Sequence, residues 1–174
     1  WVYHDIPFAY GNIDHIVIST GGLFTVETKA RRKPAGERES SRQSKVVFDG
    51  KKLVFPDWET DEPLQQARLQ AKHLRAVVKK NLGLDAPVTP VVALPGWFVE
   101  RTGKSDVWVL NPKRGGALAT QVGKDILTSV DAERVADYIE TVARSVPVGS
   151  KKMDPDAGKH YDFWNQRRYQ DRQL

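Results

Sequence analysis

The stretch 11-GNIDHIVISTGGLFTVETK-29 decides the fold. Ile13 to Ser19 is a β-branched run, apolar on both faces except at Asp14 and His15. Thr20-Gly21-Gly22 reads as a turn and Leu23 to Lys29 as the next strand, so the two form an antiparallel hairpin. Three charges interrupt these strands: Asp14, Glu27 and Lys29. Side chains alternate along a strand, which puts Glu27 and Lys29 on one face and Val26 and Thr28 on the other. Asp14 sits on the partner strand. Two carboxylates and an ammonium thus converge where burial would favour valine, and unpaired burial of charge is costly.

Outward from the hairpin, residues 1–8 read as a further strand, closed by Pro7 and the turn residues Gly11 and Asn12. Residues 30–44 (ARRKPAGERESSRQS) lack apolar periodicity and read as a mobile loop. Lys45 to Phe55 gives a second hairpin, VVF-DG-KKLVF, with Asp49-Gly50 expected to supply the positive φ angles of a tight turn. Pro56 to Asp61 reads as a loop. From Pro63 the apolar positions Leu64, Ala67, Ala71, Leu74, Val78 and Leu82 recur at helical spacing up to Gly83. Val88 to Leu94 is a buried strand and Val107 to Leu110 a short one. Ser129 or Asp131 is expected to cap a last helix through Arg144, with Val135, Ile139 and Val142 inward. The element order predicts an α/β fold, a mixed β-sheet flanked by helices. Residues 1–148 form its domain; 149–174 read as a linker and a basic, aromatic C-terminal tail (159-KHYDFWNQRRYQDRQL-174).

Composition narrows the classes. The 174 residues include no cysteine, which excludes disulfides, thiolate zinc sites and a cysteine nucleophile. No apolar run reaches the roughly 18–20 residues that a membrane helix needs. The net charge is +5, and it is uneven. Residues 29–45 carry +5 and residues 62–82 carry +4, which leaves −4 for the remainder. Local basic surface points to a polyanion, nucleic acid before an anionic membrane.

The site chemistry that fits is phosphodiester hydrolysis. Carboxylate oxygens, a backbone carbonyl (here that of Thr28) and water are the hard ligands that Mg²⁺ or Mn²⁺ takes. Such a metal stabilises charge on the phosphate and acidifies water. A lysine two residues past the glutamate can hold that water, which accounts for the E-x-K spacing. A lone E-x-K arises by chance about once in every few hundred residues, and a surface salt bridge among Asp14, Glu27 and Lys29 is the plain alternative. The apolar flanks and the glutamine-bearing helix that follows favour the site.

On these residues the chain resembles the nuclease-related (NERD) domain, a branch of the PD-(D/E)XK nuclease superfamily with a restriction-endonuclease-like core. G-N-I-D-H, G-G-L-F and V-E-T-K are the most specific stretches, and VVFDGKKLVF and EPLQQARLQAKHLR follow the same pattern, over roughly residues 1–110. The resemblance implies Asp14 and Glu27 as metal ligands, Lys29 as the catalytic lysine and Gln66 as the polar residue of the helix. Gln65 is the alternative register for that glutamine. Family members carry a helix before the first strand, often with a further acidic residue, so an element upstream of Trp1 is expected. Exonuclease relatives carry Q-x-x-x-Y on the helix; here Gln70 stands where the tyrosine would be.

Arg31, Arg32 and Lys33 follow Lys29 directly, and Arg68, Lys72, Arg75 and Lys79 form a stripe on the helix; Arg31, Arg32, Lys33, Arg68, Lys72 and Arg75 are the candidate DNA contacts. Thr102-Gly103-Lys104-Ser105 ends like a phosphate-binding loop, but Phe98 replaces its first glycine, so a turn between strands is expected. His4, His15, His73 and His160 show no metal-ligand spacing, and His15 is read as packed or hydrogen-bonded on the face opposite Asp14. The expected protein is a Mg²⁺- or Mn²⁺-dependent nuclease of a prokaryotic cytoplasm, with an N-terminal anchor outside this sequence left open. A nucleic-acid-binding module without activity, or a protein-interaction domain using the aromatic tail, are the alternatives.

Overall fold

A computed structural model of the chain describes residues 1–8, 11–30, 45–114 and 125–145. Arg31, Arg32, Lys33 and the C-terminal tail therefore lie outside the described residues. The elements run β1 (Val2–Phe8), β2 (Gly11–Ser19), β3 (Gly22–Thr28), β4 (Lys45–Phe48), β5 (Leu53–Val54), β6 (Glu59–Thr60), α1 (Glu62–Leu82), β7 (Val88–Ala93), β8 (Phe98–Arg101), β9 (Trp108–Leu110), a 3₁₀ turn at Pro112–Arg114, and α2 (Ser129–Ser145).

The expected α/β fold, a mixed β-sheet flanked by helices, is present, with its strands divided between two sheets. The larger has the order β1-β2-β3-β7-β9, and the smaller β6-β5-β4-β8. In the larger, β1, β2 and β3 are antiparallel neighbours, whereas β3, β7 and β9 run parallel. In the smaller, β4 pairs antiparallel with β5 and parallel with β8. Strands β6 and β8 were not expected. Each lies at an edge of the small sheet and mixes apolar with charged residues (Glu59-Thr60, FVER), so neither shows the alternation by which a strand is recognised.

Helix α1 links the layers. Its buried stripe is Leu64, Ala67, Ala71, Leu74 and Val78, with Gln70 and Pro63. Leu64 and Ala67 pack with Val46, Phe48, Leu53 and Trp97 of the small sheet and its loops. Leu74 and Val78 pack instead with Ile6, Ile13, Ile16 and Ile18 of the large sheet and with Val135 and Ile139 of α2. One helix is thus pinned at both halves, which fixes its axial position over β3 and β7. It stops where Gly83 adopts φ 69° and returns its N–H to the Lys79 carbonyl, a backbone state glycine takes at little cost.

Two local expectations are corrected. The β4–β5 turn has four residues, and among them only Gly50 has positive φ, at 95°. Asp49 Oδ1 accepts the Lys51 and Lys52 N–H groups at 2.8 Å each, so the aspartate caps the turn instead of entering the left-handed region. Helix α2 is capped by Thr128, not by Ser129 or Asp131. Its hydroxyl accepts the Asp131 N–H at 3.0 Å and donates to the Asp131 carboxylate at 2.8 Å. The Thr102–Ser105 segment is the expected turn between strands, and a side chain at Gly103 would run into the Asp49 carbonyl. Among the described residues no helix is long and apolar enough to cross a membrane.

Candidate active site

Alternation along β3 sends Leu23 into the cluster beneath the helices, and Phe24 and Val26 into a separate cluster on the other face. Glu27 keeps the parity of Leu23 and so faces α1, beside Val92 of β7 with which it is paired. It has no solvent exposure. It also lies at the C-terminal end of β3, where β3, β7 and β9 run parallel, the end at which open α/β sheets form their crevices. The ladder extends past the strand, since the Lys29 N–H donates to the Ala93 carbonyl at 3.0 Å.

Three donors meet the buried carboxylate. Lys29 Nζ lies 3.2 Å from Glu27 Oε1. Gln66 Nε2 and Gln70 Nε2 each donate to Glu27 Oε2 at 2.8 Å. The Lys29 ammonium also donates to Gln66 Oε1 at 3.4 Å, which closes a ring of Glu27, Gln66 and Lys29. These donors compensate a burial of the carboxylate that would otherwise be prohibitive. The lysine itself keeps 30% of its side-chain exposure, so the cluster opens to solvent at Lys29.

Asp14 joins through the backbone. The regular β2–β3 pairing ends at His15 and Val26, and Thr28 N–H donates to Asp14 Oδ2 at 2.9 Å in place of a strand carbonyl. On β2 the alternation breaks here: Ile13, Ile16 and Ile18 all enter one core cluster, with Asp14 and His15 together between the first two. The β1–β2 ladder skips the pair Asp5–Asp14, and Asp5 has φ 51°, a left-handed conformation that aspartate tolerates. His15 is hydrogen-bonded, as expected, with Nε2 3.2 Å from the Thr28 hydroxyl and Nδ1 2.7 Å from His4 Nδ1.

The structure therefore gathers Glu27, Lys29 and Gln66 in direct contact and ties Asp14 to Thr28 between them. Of the two neighbouring glutamines, Gln65 is exposed and reaches Asp61 at 3.4 Å, whereas Gln66 faces Glu27. Gln66 touches the carboxylate and so positions it. Gln70 was not singled out as a site residue. Its place four residues after Gln66 put it on the same helical face, and that spacing was the available signal.

The basic stripe fares differently. Arg68 forks onto Asp106 at 2.8–3.1 Å, and its hydrogen bonds hold the Asp106 carboxyl below its ordinary range. Arg75 and Lys79 both bind Asp85 at 2.8 Å, and Lys79 first, then Arg75, lower the Asp85 pKa. Only Lys72 of the three helix contacts expected is outside these pairs, and it is exposed. Half of the +4 read on 62–82 is thus matched by two acids elsewhere in the chain, Asp85 and Asp106.

The donor chemistry can be compared with a metal's needs. Among the described residues no group of three or more histidine, cysteine or acidic side chains forms a ready-made cage. What is present is two carboxylates beside a strand end, an all-oxygen set. That fits Mg²⁺ or Mn²⁺, which keep several waters and take one or two carboxylates.

A mixed sheet whose parallel end carries Glu27-x-Lys29, with Asp14 on the neighbouring strand and an amide-bearing helix behind, defines a nuclease-like α/β core. The nuclease-related domain (NERD) profile matches residues 1–95, more than half of the chain, and the chain belongs to that family. The matched span runs from β1 through β7 and contains Asp14, Glu27, Lys29, Gln66 and Gln70. Comparison with curated proteins and with solved structures returned no match.

Proposed function

We propose that this chain is a metal-dependent nuclease that hydrolyses phosphodiester bonds, with DNA as substrate. The observation that carries this reading is the fully buried Glu27, held by Lys29 and two amides at the open end of the parallel strands. Asp14 and Glu27 would hold Mg²⁺ or Mn²⁺, with the Thr28 carbonyl as the backbone ligand. When bound, the cation supplies positive charge against the phosphate and acidifies water. Lys29, part-exposed at the mouth of the cluster, orients the attacking water and offsets charge on the scissile phosphate. Gln66 and Gln70 keep the Glu27 carboxylate from rotating. Lys72 on α1, together with Arg31, Arg32 and Lys33 following the Lys29 strand, would contact the DNA backbone; Arg68 and Arg75 would do so only by leaving their acidic partners.

The test is cleavage of supercoiled plasmid and linear duplex across Mg²⁺ and Mn²⁺. Cleavage is expected to stop with chelator, and to fall about 10²-fold or more in Asp14→Ala and Lys29→Ala. Circular dichroism should show both variants folded. Identical products from the wild type and Lys29→Ala would sink the assignment.

A further inference from the structure

We infer that Glu27 offers a divalent cation one oxygen, Oε1, and that Lys29 occupies this oxygen until the cation takes it. The inference rests on the nuclease reading above and adds an order of events to it. Two observations carry it. The first is the asymmetry of the carboxylate. Both amides, Gln66 Nε2 and Gln70 Nε2, fall on Oε2 at 2.8 Å, while the ammonium falls on Oε1 at 3.2 Å.

The second is the difference in mobility of those partners. Gln70 is buried, and both glutamines extend from a helix packed at both halves against core clusters. Gln70 therefore stays on Oε2 unless α1 shifts, and Gln66 stands half-buried beside it. Lys29 is part-exposed, on a flexible four-carbon stem, and its ammonium can move toward water at little cost. It also has somewhere to stay, because Gln66 Oε1 lies 3.4 Å from the same nitrogen. Lys29 is thereby both the placeholder that keeps a buried carboxylate neutralised and the group displaced toward the solvent side. Removing this lysine should abolish cleavage yet tighten metal binding.

Calorimetric titration with Mn²⁺, without DNA, reads the first consequence. Lys29→Met is expected to bind Mn²⁺ about tenfold tighter than the wild type, the size of one charge-assisted contact. Lys80→Met removes the same charge from the exposed last turn of α1 and should change affinity less than about twofold. The second readout uses the wild type alone. Lys29 should be acetylated several-fold faster under Mn²⁺ saturation than without metal, measured by peptide mass spectrometry after a brief pulse of acetic anhydride.

The two readings fail separately. If Glu27→Gln binds Mn²⁺ as tightly as the wild type, or the wild type binds none, the metal site itself is refuted and the inference with it. If Glu27→Gln loses binding while Lys29→Met gains nothing, or Lys29 acetylation in the wild type is unchanged by Mn²⁺, the metal site stands and the placeholder role is overturned. Should Lys29→Met fail to fold, the acetylation result on the wild type decides.

Discussion

On the inner face of α1, Gln66 and Gln70 donate into a carboxylate that has no solvent exposure. On the outer face of the same helix, Arg68, Arg75 and Lys79 pair with Asp106 and Asp85 at the surface. The two faces have similar hydrogen-bond lengths and opposite energetic standing. Inside, a donor that is lost leaves a charge that water cannot reach, and the full desolvation cost returns. Outside, water replaces any partner removed, and salt screens what remains. Contact geometry alone therefore does not rank these interactions. Burial does, and it also separates the face that carries the candidate site from the one that sets surface charge.

The largest effect should come from stripping Oε2. Gln66→Leu with Gln70→Leu removes both amides while keeping helix propensity and volume, and a loss of about 3–5 kcal/mol is expected in urea unfolding. Gln70→Leu alone should cost about 1–3 kcal/mol. A double variant as stable as the wild type would break the contrast between the two faces.

A smaller effect involves His73, on the same helix and edge-on to Phe8 with ring centroids 5.1 Å apart. Burial holds its imidazole below the ordinary histidine range. The unfolded chain takes up a proton near pH 6.5 that the folded one resists. Stability from this group is therefore complete above about pH 6.5 and declines as pH falls toward the folded value. Melting curves between pH 7 and 5 should show a shallower acid-side loss in His73→Phe. An unchanged slope would show that His73 does not contribute.

The smallest effect on stability belongs to the outer face. Asp85→Asn should leave the melting temperature within about 2 °C of the wild type. It frees Arg75 and Lys79, so duplex binding at low salt should tighten, with a steeper salt dependence. A clear loss of stability would mean that the outer pairs are structural and that the contrast is drawn too sharply.

Much of the site was legible because it violates local pattern. Charges at Asp14, Glu27 and Lys29 stand out against β-branched neighbours, and the hairpin and both ends of α1 are announced by glycine and proline. What escaped depends on partners distant in sequence. The parallel pairing of β4 with β8 joins residues about fifty positions apart, and no periodicity reports it. The same holds for Asp106, which is 38 residues from the Arg68 it neutralises. Gln70 escaped for a different reason: a glutamine on a helix is unremarkable until the carboxylate it faces is known to be buried. Thr128 was passed over because the capping hydroxyl lies one residue before the helix, beside a serine that fits the same role.

The central claim is that Glu27 is buried for the sake of chemistry beside its part-exposed neighbour Lys29. Glu27→Gln tests it most directly, because the amide keeps the size of the carboxylate and still offers the two glutamines an acceptor. Duplex cleavage in Mn²⁺ should fall about 10²-fold or more while thermal melting remains cooperative and close to the wild type. Undiminished metal-dependent cleavage by a well-folded Glu27→Gln protein would contradict it.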